Sequence, residues 1–159
     1  MRQFDQEWEQ LVSARQWLVE QGLRLLASRG PEGMDQGFDV YAGDGIGLRI
    51  VADRGQWFVE VHPGMENLTA GGTTGWFTLE VWSSCLGSPI VLHDPRPTST
   101  HQDQAVALES SWWLEPQLDF LQANFDQITA ACSAERVETT IACLAAVQRK
   151  GSPFRPSSA

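Results

Sequence analysis

The feature that most constrains the fold is a change in the spacing of apolar residues along the chain. Before residue 29 and after residue 115 they recur every third and fourth position, whereas from 36 to 93 they alternate. A spacing near 3.6 lines one stripe of a helix, and a spacing of two lines one face of a strand. The chain therefore reads as helix, then strands, then helices.

Residues 3–28 read as one amphipathic helix, in which Phe4, Trp8, Leu11, Leu18, Leu25 and Leu26 share a stripe. Arg29-Gly30-Pro31 is its expected stop. Strands are expected at 38–42, 48–53, 57–62, 76–82 and 90–92. Asp53-Arg54-Gly55-Gln56 is a turn, with Gly55 supplying a positive φ. The connections are short, which implies antiparallel pairing, because parallel strands need crossovers of about a dozen residues or more. Pro95 and Pro97 break regular structure in a polar loop over 94–103. A helix starts at Glu115-Pro116 and carries Leu118, Leu121, Phe125 and Ile128. Ser133 is placed to cap a further helix over 134–150, with Val137, Ile141, Leu144 and Val147 on one stripe and Gly151 at its end. This order predicts an α+β fold: an antiparallel meander of about five strands, with an N-terminal helix and C-terminal helices packed on one face. A single domain is expected over 1–150, with a disordered Pro/Ser-rich tail over 151–159.

A chain of 159 residues buries a core without metal or disulfides. Asp and Glu number 20 against 11 Lys and Arg, a net charge of -9. That balance speaks against nucleic acid, whose phosphates draw affinity from cations, and favours basic partners. The ten arginines are scattered and Lys150 is the one lysine. Cys85, Cys132 and Cys143 are odd in number and form no CxxC pair, so no disulfide framework is expected. The first residues carry no apolar stretch like that of a secretory signal, and no apolar run approaches the roughly 20 residues of a membrane helix. A soluble, cytoplasmic protein is expected.

A search for catalytic chemistry finds weak candidates. His93 and His101, with Asp94, Asp103 and His62, fit no standard zinc pattern. No GxSxG elbow surrounds Ser84, and no cysteine-centred signature surrounds Cys85, which reads as a small buried hydrophobe. Asp53 and Glu60 read as solvated carboxylates across a hairpin. The glycines of residues 71–75 lack the lysine of a phosphate-binding loop. The expectation is no catalysis, no metal and no cofactor. The seven tryptophans are expected mainly in the core, with an exposed anchor among Trp76, Trp82 and the adjacent Trp112-Trp113.

Residues 47–61, Gly-Leu-Arg-Ile-Val-Ala-Asp-Arg-Gly-Gln-Trp-Phe-Val-Glu-Val, resemble immunity proteins of bacterial polymorphic toxin systems. In many of those, a strand ends in an Asp-Arg-Gly turn and the next strand opens with an aromatic. The whole chain is similar as well, and looks like the immunity factors of actinobacterial secreted toxins. The resemblance implies inhibition by occlusion: an antitoxin binds its cognate toxin inside the producing cell and covers a basic active-site cleft. Candidate partner contacts are Asp53 and Arg54 at the turn, Glu66 and Asn67 in the glycine-rich loop, Asp94 and Asp103 in the polar loop, and Trp112. The alternative is an acidic chaperone that holds a secreted effector by an apolar segment. A third reading is an enzyme using the His93–His101 loop.

Overall fold

The computed structural model describes residues 3–32, 36–43, 45–53, 56–65, 68, 74–87 and 114–150. Its order is α1 (Gln3–Glu20), β1 (Arg24–Glu32), β2 (Gln36–Gly43), β3 (Ile46–Asp53), β4 (Gln56–Pro63), β5 (Phe77–Thr78), α2 (Leu79–Cys85), α3 (Leu114–Ala131) and α4 (Val137–Arg149). The strands pair in sequence order, each antiparallel to the next. The fold is α+β, an antiparallel five-stranded meander with an N-terminal helix and C-terminal helices.

The first helix is shorter than its apolar stripe predicts. Gly22 adopts φ 93°, a conformation that costs glycine little. The N–H of Leu23 donates to the carbonyl of Leu18 at 3.1 Å, and that of Gly22 to Val19 at 3.0 Å. These two bonds form a Schellman closure, which ends α1 and turns the chain. Leu25 and Leu26, expected on the helix, therefore lie on β1. The five strands are thus not the five expected. β1 is an addition, while the expected strand at 90–92 lies outside the described residues. The expected strand at 76–82 also changes: Phe77 and Thr78 pair with β4, and Leu79 to Cys85 are helical. In a run this short, period two and period 3.6 compete. The helical answer puts Leu79, Trp82 and Ser83 together on a buried side.

One face of the sheet meets the helices. Tyr41, Leu48, Ile50, Trp57, Val59 and Val61 join a core with Leu11, Leu18, Leu118, Leu121 and Phe125. The rings of Trp17 and Phe125 meet edge-on at 5.2 Å, fastening α1 to α3. Asp39, only 1% exposed, sits in this layer. Its carboxylate accepts from Arg15 Nε (2.7 Å) and Nη2 (2.9 Å), from Ser28 Oγ (2.6 Å) and from the Tyr41 hydroxyl (2.9 Å). Four donors replace the water that burial removes. The Asp39 hydrogen bond holds the Arg15 guanidinium above its ordinary pKa, and burial raises the Tyr41 phenol.

Helix α3 starts at Leu114, one residue before the expected Glu115, whereas α4 starts at Val137, three residues after the expected start at 134. Ser133 receives the first turn of α4 through its backbone carbonyl, from Val137 N–H at 2.8 Å, and no side-chain cap forms. α4 buries little beyond Thr140 and Leu144. Two links hold it: the Thr140 hydroxyl donates to the Ala131 carbonyl at 2.7 Å, and Cys143 is disulfide-bonded to Cys85 on α2. This bond corrects the expectation of free thiols. An odd count left one cysteine over, buried Cys132, and the pairing was set by helix contact rather than by a spacing motif.

Candidate partner-binding surface

Among the predicted contacts, Asp53 ends β3, where it pairs in register with Gln56 and leaves 54 and 55 as the connection. Arg54, Glu66, Asn67, Asp94, Asp103 and Trp112 lie outside the described residues, as do Gly55, His93, His101, Trp113 and the tail at 151–159. Trp76 and Trp82 are 2% and 0% exposed, so neither is the exposed anchor expected of them. Trp82 Nε1 donates to the Val61 carbonyl at 3.1 Å.

The carboxylate pairing across the hairpin is also corrected. Glu60 stands opposite Arg49 rather than near Asp53. Its Oε1 accepts from Arg49 Nε at 2.9 Å and lies 2.7 Å from Nη2. The Arg49 guanidinium lies 4.5 Å from the centre of the Trp76 ring, and His62 meets the same ring edge-on at 5.3 Å. This cluster occupies the outer face of the sheet. Burial lowers the His62 pKa, against the raising effect of hydrogen bonds to the Gly64 and Pro63 backbone. These contacts spend the charged groups on one another, which suits structure better than acid–base work.

A row of exposed acidic residues lies on α3. Glu115, Asp119, Gln122 and Asp126 are all exposed and recur at spacings of four, three and four. That spacing draws them into one stripe. α3 contains no Lys or Arg, and the single arginine of α1 is turned inward to Asp39. The stripe starts beside the β3–β4 hairpin, because Gln117 bonds the backbone of Trp57. It runs about 17 Å from Glu115 to Asp126 at 1.5 Å per residue.

At its far end the stripe meets a groove of about 660 Å³ between α2, α3 and α4. The floor is apolar, with Trp82, Leu86, Ala131 and the Cys85–Cys143 bond. Asp126, Gln127, Glu135, Arg136 and Thr139 form an exposed rim. An apolar floor with a charged rim is suited to gripping a protruding side chain. Among the described residues no three His, Cys, Asp or Glu side chains gather to hold a metal ion. The Cys132 thiol is pushed up to about 12 by burial, which makes it a poor nucleophile. Ser83 and Ser84 donate to the Glu80 carbonyl.

The sequence reading missed Asp119, Asp126 and Glu135. The signal for Asp119 and Asp126 was present: with Glu115 they are carboxylates at helical spacing in an 18-residue segment without a cation. Compared with protein-family models, with curated proteins and with solved structures, the chain finds no match in any of the three. Among the described residues no helix is long and apolar enough to cross a membrane.

Proposed function

We propose that the protein is an immunity protein, an antitoxin that neutralises a cognate secreted toxin by covering its active site, without catalysis. The observation that carries this reading is the acidic stripe of α3, uncompensated within its helix and leading to a groove with Asp126 and Glu135 on its rim. A toxin that acts on a phosphate-bearing substrate has a cationic cleft, and a rigid row of carboxylates is complementary to it. Such complementarity sets the rate and specificity of association. The reading places the protein in the cytoplasm, where the toxin is made. The Cys85–Cys143 bond argues for an oxidising compartment instead, and its redox state in the producing cell decides between them.

Co-expression with the C-terminal domain of a large neighbouring gene, chosen as the candidate toxin, tests the proposal. Survival together with a co-purifying complex supports it. Continued toxicity and no complex overturn it. The second reading, an effector chaperone, is favoured by the exposed Leu25 and Leu26 of β1. A chaperone binds the unfolded form of its client, and an immunity protein binds the folded toxin.

A further inference from the structure

The two edges of the sheet are treated differently. At one edge β5 covers only Glu60 and Val61 of β4. Side chains complete that edge: Gln117 takes the Trp57 carbonyl and the Val59 N–H, and Trp82 takes the Val61 carbonyl. At the other edge, among the described residues, no strand pairs with the outer side of β1. An edge strand directs every second N–H and C=O outward, where each is a template for another strand.

β1 is open in a second sense. Residues 24–29 are all exposed, an unbroken run of six within a strand. The run includes Leu25 and Leu26, 46% and 50% exposed, and Val19 in the last turn of α1 is 58% exposed. The register separates the two faces. Leu25 stands opposite Tyr41, so it shares the helix-facing side, whereas Arg24 and Arg29 stand opposite Ala42 and Phe38 on the outer side. Leu26 has no partner in β2 and forms a bulge there. Pro31 lacks an N–H, and a second register break follows Arg29, so the usable edge is 24–29.

We propose that this edge accepts an extended segment of a partner protein as a sixth strand. The segment is apolar on the side that meets Leu25 and acidic on the side that meets Arg24. Main-chain hydrogen bonds would give the pairing its affinity, and the alternating side chains its specificity. Arg24, exposed on the outer side of this edge, sets the charge of the occupant. This inference does not rest on the immunity reading, because β1 is assayed directly whether or not toxin rescue succeeds.

The test is a titration of the full-length, ¹⁵N-labelled protein, followed by amide shifts and hydrogen exchange. The probes are a capped Val-Glu repeat hexapeptide and a Val-Lys control. The proposal expects shifts and slowed exchange confined to 24–29 with the Val-Glu peptide, and neither with Val-Lys. Leu26→Lys and Arg24→Glu, each checked for an unchanged far-UV spectrum, should lose the response. Several results would overturn the proposal: no shift at 24–29, equal binding of both peptides, or binding that survives both variants. Concentration-dependent shifts of 24–29 without peptide, with a dimer in sedimentation, would show that a second copy occupies the edge instead.

Discussion

Gln117 acts on Val59 as a neighbouring strand would. Its Oε1 accepts from the Val59 N–H at 2.8 Å, while its Nε2 donates to the Trp57 carbonyl at 2.9 Å. Both partners are buried, so without the amide two backbone groups would face an apolar helix. Gln117→Leu should destabilise the protein by about 1–3 kcal/mol, the range for burying unsatisfied polar groups. Urea unfolding measures this, and an unchanged midpoint would contradict the assigned role.

Gly22 gives a second check, on the end of α1. Its φ of 93° is one that side chains with a Cβ adopt only under strain. Gly22→Val should lower stability by about 1–3 kcal/mol. A melting temperature equal to that of the parent would mean that the helix does not end in this closure.

The Cys85–Cys143 bond makes a chemical prediction. Denatured without reductant, the chain should expose one reactive thiol, Cys132, and after reduction three. Cys85→Ser with Cys143→Ser should cost about 2–4 kcal/mol, as loss of a link that closes a long loop does. α4 should loosen first, because it buries only Thr140 and Leu144 fully. Three thiols in unreduced protein would refute the bond.

His62 links stability to pH. Burial lowers its pKa, so the folded state prefers the neutral ring. The stability it contributes is fully present above its ordinary value of about 6.5 and is lost as pH falls through the lower folded value. Melting temperature should therefore drop more on acidification in the parent than in His62→Gln. Parallel curves would contradict the assignment.

Much of the architecture was legible because local rules agreed with the fold. Trp57, Val59 and Val61 alternate, and all three are buried; Leu118, Leu121, Phe125 and Ile128 keep helical spacing, and all four face the core. Reading failed where two patterns overlapped. Leu25 and Leu26 continue the stripe of α1, and only the backbone bonds around Gly22 separate them from it. Leu79 to Cys85 fits either period until Trp82 finds the Val61 carbonyl. The surface was legible in charge but not in place. Net charge carries no position, whereas the row from Glu115 to Asp126 requires knowing that α3 turns its apolar side inward.

The central claim is that this row engages the partner. The most direct measurement is the association rate of the toxin domain that the protein neutralises in co-expression, taken with the parent and with Asp119→Lys, Asp126→Lys, at low and physiological salt. The account predicts a slower, less salt-sensitive association and lost protection in the double variant, because screening over about 8 Å removes the attraction that steers it. Equal rates and equal protection would contradict it.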